Sequence, residues 1–111
     1  MINKPYDCKE KDNIKAFKAL PPCCAHFIRT VQNRIQQEVD TKNPGRFRPT
    51  SGFRAESVNR KYGGVTESLH RLGMARDFVP VDGLFDAPPV VDTSRFKVLR
   101  SSRCWHIELI C

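Results

Sequence analysis

The clearest hydrophobic pattern in the chain runs through "CAHFIRTVQNRIQQEVD", where Phe27, Val31, Ile35 and Val39 recur every four residues with Ile28 beside them. That spacing predicts one amphipathic helix, apolar on this stripe and polar at Arg29, Gln32, Asn33 and Gln36. Pro21 and Pro22 suit its start, and the turn formers of "DTKNPGRFRP" follow its end. A shorter helix is expected around Ile14 to Leu20. Within the long helix His26 is read as partly buried and hydrogen-bonded, and Cys23 and Cys24 as small core or capping-region residues.

Beyond residue 45 the pattern changes. "RFRPTSGFR", "GMARDFVPV" and the final "RCWHIELI" are rich in β-formers or alternate in character, which predicts extended segments. "AESVNRKYG" reads as a short helix ended by Gly63 and Gly64. Helix first, then strands with a small helical insertion, predicts an α+β fold: a small antiparallel sheet with an amino-terminal helix packed on it. A chain of 111 residues suits a single domain spanning 1–111. The segment "DGLFDAPPVVDTSRF", with Pro88 and Pro89, is expected to form a loop near the cleft.

Alternation on the strands places the chemistry. On "GMARDFV" Ala75, Asp77 and Val79 face one way and Met74, Arg76 and Phe78 the other. On the last strand Cys104, His106, Glu108 and Ile110 share a face opposite Trp105, Ile107 and Leu109. His106 and Glu108 are costly to bury unless that face lines a site. Catalytic zinc takes three His or carboxylate ligands and keeps one position open, and His70, Asp77 and His106 supply such a set. From the residues alone the alternative stands that His70 ends a turn and Asp77 pairs with an arginine.

Composition narrows the partners. A formal charge of +7 favours polyanions such as nucleic acid, anionic lipid or acidic cell-wall polymers. The basic residues are scattered, with neither zinc-finger spacing nor an aromatic RNA-binding signature, so no nucleic-acid partner is expected. No apolar run reaches membrane-spanning length. The amino terminus reads as lacking a secretory signal, so the chain is expected to be cytoplasmic as made, acting on a cell wall after release by another route. Five cysteines, an odd count without a Cys-x-x-Cys pair, weaken disulfide and zinc-knuckle readings alike, and one bridge remains open if the protein works outside the cytoplasm.

The run "SGFRAESVNRKYGGVTESLHRLGMARDF", followed by "WHIEL", resembles the zinc D-alanyl-D-alanine carboxypeptidases and related LAS-type peptidoglycan peptidases, whose fold is shared with the Hedgehog signalling domain. The family pattern Ser-x-His-x-x-Gly-x-Ala-x-Asp is matched by Ser68, His70, Gly73, Ala75 and Asp77, and Ser51 to Arg54 match its upstream Ser-Gly-aromatic-Arg stretch. The resemblance covers about residues 47–79 and 104–109. It implies a Hedgehog/DD-peptidase-like fold and one Zn²⁺ held by His70, Asp77 and His106. It further implies hydrolysis of peptidoglycan stem peptides as a carboxypeptidase or endopeptidase, and the chain is expected to be a monomer.

By the same resemblance Arg54, on a strand entering the site, stabilises an oxyanion or binds a substrate carboxylate, and Ser68 contacts substrate or orients its loop. Gly73 and Ala75 keep the chain close to the metal. The family's usual general-base positions hold Arg103 and Cys104 here, neither a good base. Glu108 is left as base or as a residue orienting a zinc ligand. An inactive binding module of the same fold is the alternative function.

Overall fold

In the computed structural model, which describes residues 4–63 and 68–110, helix α1 (Lys11–Lys18) leads into α2 (Pro22–Lys42). Strand β1 (Phe47–Ser51) and the short helix α3 (Glu56–Lys61) follow, then a 3₁₀ turn (Leu69–Leu72). Strands β2 (Ala75–Pro80), β3 (Phe96–Arg100) and β4 (Trp105–Leu109) complete one antiparallel sheet of order β1-β2-β4-β3. The architecture is the expected α+β one, an antiparallel sheet with the helix on one face.

Period 2 on the strands and period 3.6 on α2 meet in the core. Val31, Ile35 and Val39 pack onto Phe47, Phe78, Phe96, Trp105 and Ile107. Each such side chain contributes roughly 1.5–3 kcal/mol by leaving water, so this face anchors the sheet. A second cluster of Phe17, Ala25, Ile28 and Phe53 joins α1 to the start of α2.

The buried stripe of α2 is rotated from the one the spacing predicts. Phe27 is 52% exposed, whereas Gln32 is 1% exposed. At about 100° per residue Phe27 points roughly 120° away from the centre of the Ala25–Ile28–Gln32–Ile35 face. The desolvation cost of Gln32 is offset because Gly73, Ala75 and Arg76 supply partners for both ends of its amide. Cys23, Cys24 and His26 are exposed, not core residues, since only the Ala25 and Ile28 side of these turns meets α1 and Phe53. The first helix starts earlier than expected, so that Asn13 is buried with its Oδ1 accepting the Ala55 N–H at 2.8 Å.

The loop between β2 and β3 lies away from the cleft, contrary to expectation. Phe85 packs near Trp105, with ring centroids 6.3 Å apart. Asn43 exchanges two 2.8 Å hydrogen bonds with the Val90 backbone, and Glu38 Oε2 accepts the Asp92 N–H at 2.6 Å. These bonds tie the loop to α2, on the core side of the sheet. Helix α3 ends as expected with Gly63 at φ 73°; Gly64 lies outside the described residues. Cys8, Cys23, Cys24 and Cys104 are free thiols, and Cys111 lies outside the described residues. No helix among the described residues is long and apolar enough to cross a membrane.

Candidate metal centre

Sheet register assembles the site on the face opposite α2. Asp77 sits across from His106 on β4 and from Ser51 on β1, while Ala75 sits across from Glu108. Direct cross-strand partners carry their side chains on the same face, so the pairing alone brings Asp77 to His106. His70 arrives by another route. Ser68 Oγ accepts the His70 N–H at 3.3 Å and starts the 3₁₀ turn, which closes at Gly73 with φ 71°.

The turn folds His70 back onto the row. Its Nε2 lies 3.0 Å from Asp77 Oδ1 and 3.1 Å from His106 Nδ1, and His106 Nδ1 lies 3.0 Å from the same Asp77 oxygen. These three residues are the group among those described that can hold a metal ion. His70 is 2% and Asp77 4% exposed, so the cluster has little water to solvate it.

The outer nitrogens set the tautomers. His70 Nδ1 faces the Gly52 carbonyl at 2.7 Å, and a carbonyl only accepts, so Nδ1 carries the proton and Nε2 presents a lone pair. His106 Nε2 faces Glu108 Oε1 at 2.9 Å, so in the neutral ring Nδ1 is likewise the lone-pair nitrogen. Two imidazole lone pairs and a carboxylate oxygen therefore converge on one point. They repel one another unless a cation sits between them. His₂Asp with backbone and carboxylate partners behind both rings is a donor set that suits Zn²⁺.

The electrostatics agree. Burial alone pushes the Asp77 carboxyl up, but without a metal, when the rings are protonated, hydrogen bonds from His106 and His70 and their charge outweigh it and hold the group well below the usual carboxylate range. Burial likewise pushes His106 down, and contact with Asp77 and Glu108 reverses the effect and raises it. The field that draws a proton to this cluster draws a metal cation for the same reason.

Arg54 lies past the end of β1, in the segment leading to α3, rather than on a strand. Its Nη2 donates to Asp77 Oδ2 at 3.0 Å and its Nε to Ser51 Oγ at 3.0 Å. The register shifts between Pro49 and Ser51, and Ser51, across from Asp77, is the last residue of β1. Arg54 thus holds the Asp77 oxygen that faces away from the histidines, leaving Oδ1 to them. Ser68, Arg54 and Glu108 all line the same cleft as the three donors, a depression of about 760 Å³. Cys104 lines it too; burial and the Asp77 charge push its thiol up to about 11, which keeps it protonated.

The roles of three residues escape a reading by motif. Gln32 Nε2 donates to Gly73 O at 2.7 Å and Ala75 O at 2.9 Å, while its Oε1 accepts from Arg76 Nη1 at 3.0 Å. It pins the chain between the two ligand-bearing segments. Arg76 is 3% exposed, bonded also to Gln36 and to Lys4 O, and burial lowers it to about 10, still charged at neutral pH. Gly52 has no room for a side chain, because a Cβ would lie 2.5 Å from both Gln32 Oε1 and Pro5 O. Only the glycine in Ser-Gly-aromatic-Arg was a visible signal; a glutamine on a helix has none. Gly73 serves a different end from the one expected, since its left-handed φ closes the turn and a Cβ would meet Ile28 at 2.6 Å. Its smallness fits the turn to α2 rather than to the metal.

The sequence model described as Peptidase M15 matches residues 45–107, more than half of the chain. That span runs from just before β1 through His106 and contains all three donors. No curated protein and no solved structure matches the chain.

Proposed function

From the premise that the chain belongs to the peptidase M15 family, we propose that it is a zinc-dependent peptidase that hydrolyses a peptide bond in peptidoglycan stem peptides, as a D,D-carboxypeptidase or endopeptidase. The observation that carries this reading is the convergence of His70 Nε2, Asp77 Oδ1 and His106 Nδ1 within 3.1 Å of one another at the floor of a cleft.

Zn²⁺ bound by these three residues supplies Lewis acidity toward the scissile carbonyl and lowers the pKa of water at the open position. The remaining work falls to the chain. Gly52 O and Glu108 Oε1 hold the two imidazoles in the tautomers that present their lone pairs. Glu108 is the cleft-lining carboxylate not consumed as a donor, so it takes the proton from the attacking water and passes it to the leaving amine. Arg54 orients Asp77 through Oδ2 and presents positive charge where the oxyanion develops. Ser68 caps the turn that carries His70 and contacts the substrate from the rim. The net charge of +7 favours approach to an anionic cell wall.

The test is the zinc content of the purified protein, together with release of D-Ala or new amino groups from purified peptidoglycan with and without chelator. One zinc per chain with chelator-sensitive release is expected. One zinc without release would replace the peptidase by a metal-binding interaction module. A chain that takes up no zinc would overturn the reading altogether.

A further inference from the structure

The cleft holds more positive charge than its own carboxylates can use. Arg54, Lys61, Arg100 and Arg103 line it, against Asp77 and Glu108. Three of these cations are already committed. Arg54 is spent on Asp77 and Ser51, Lys61 on Glu10, and Arg100 on the Phe85 ring, 3.9 Å away, and on the Cys104 carbonyl. Both carboxylates are committed too, Asp77 to Arg54 and the histidines, Glu108 to His106.

Arg103 differs. Among the described residues no carboxylate lies within ion-pair distance of its guanidinium, yet its backbone is fixed in the turn between β3 and β4. Ser101 N–H donates to Cys104 O at 3.0 Å, and Ser101 Oγ accepts the backbone N–H groups of Arg103 at 3.4 Å and Cys104 at 3.2 Å. Arg103 also borders the smaller depression of about 290 Å³ that adjoins the metal centre through Arg54, Asp77 and Cys104; its other carboxylates are Glu10, held by Lys61 and Tyr62, and Asp7, which accepts the Lys9 N–H. A guanidinium with no ion pair, on a hydrogen-bonded turn next to a metal centre whose own two carboxylates are already paired, is a ready receptor for a planar carboxylate.

We propose that Arg103 is a specificity-determining residue that binds a side-chain carboxylate on the substrate residue next to the scissile bond, so that the substrate class is an acidic peptide. This inference rests on the peptidase reading above and adds to it a contact separate from the metal centre and from Arg54. Arg103 acts on affinity rather than on the chemical step, since its partner is a group that does not react.

The experiment uses the zinc-loaded full chain and two N-acetylated pentapeptides ending in D-Ala-D-Ala, identical except that the residue before this dipeptide carries a side-chain carboxylate in one and its carboxamide in the other. Titration measures binding of each to the native protein, Arg103→Ala and Arg103→Lys. The native chain is expected to favour the carboxylate peptide by roughly fivefold to tenfold, as one partly exposed charge-assisted pair allows. Arg103→Ala should bind both peptides alike, and Arg103→Lys should keep part of the preference. Equal binding of both peptides by the native chain overturns this proposal and leaves the peptidase reading standing, as does a preference that survives in Arg103→Ala. Binding of neither peptide removes the stem-peptide reading and the proposal with it.

Discussion

Each donor at the metal centre has a partner behind it, and the partners make different demands on substitution. Replacing His70, Asp77 or His106 with Ala removes one of three donors, and each variant is expected to lose stoichiometric zinc in a direct metal assay. A variant that retains one zinc per chain would strike that residue from the set. Glu108→Gln keeps an oxygen for the His106 Nε2 proton but removes the basic carboxylate. It should therefore retain zinc while peptide hydrolysis falls by about 10²–10⁴-fold, the usual contribution of a general base. Near-native turnover would confine Glu108 to orienting His106.

At the scale of elements, the site depends on how α2 grips the link between the 3₁₀ turn and β2. Gln32 supplies that grip through the Gly73 and Ala75 carbonyls, and both bonds are buried. Gln32→Leu fits the volume but strands two carbonyls and the Arg76 donor, each at about 1–3 kcal/mol. Stability measured by urea unfolding should fall by about 3 kcal/mol or more by that count. Zinc affinity should fall with it, because the turn that carries His70 loses its anchor. Unchanged affinity in a folded variant would show that Gly73 and Ser68 hold the turn without help. The same helix holds the far loop through Glu38. Burial acts to raise that carboxyl, but Lys42 and the Asp92 N–H outweigh it and lower the pKa. A lowered folded-state pKa contributes stability above the unfolded value, near 4.5, and loses it as pH falls through the folded value. Glu38→Gln should flatten this part of the acid limb in unfolding curves recorded below about pH 4.5; an unaltered acid limb would deny the loop tether any share in it.

For the molecule as a whole, the proposed metal and the fold would stabilise one another. The donors come from the 3₁₀ turn, β2 and β4, elements that the unfolded chain does not bring together. On the proposed reading zinc would therefore bind the native state alone and would add about 2.7 kcal/mol when free zinc is 100-fold above its dissociation constant. Chelation should lower the melting temperature of the native protein, and the drop should vanish in Asp77→Ala. A chelator-insensitive melting temperature would indicate that the cluster is held by protons rather than metal.

Much of this was legible in the linear chain, and the reason is periodicity. Alternation on β2 and β4 assigned Asp77, His106 and Glu108 to one side and Phe78, Trp105 and Ile107 to the other, and the sheet keeps those faces. The motif around His70 named the third donor, because a turn followed directly by a strand is a local device encoded in adjacent residues. Tertiary packing decided the rest. Whether Phe27 or Gln32 is buried depends on the rotation of α2 over the sheet, which apolar spacing leaves loose by one neighbouring position. That Arg54 is bound to Asp77, that Gly52 orients His70, and that the proline-containing loop folds toward α2 are contacts between residues 18 to 54 positions apart. Local pattern reports which face a residue occupies; only the folded chain determines which residue it meets there, since that depends on register and on helix rotation together.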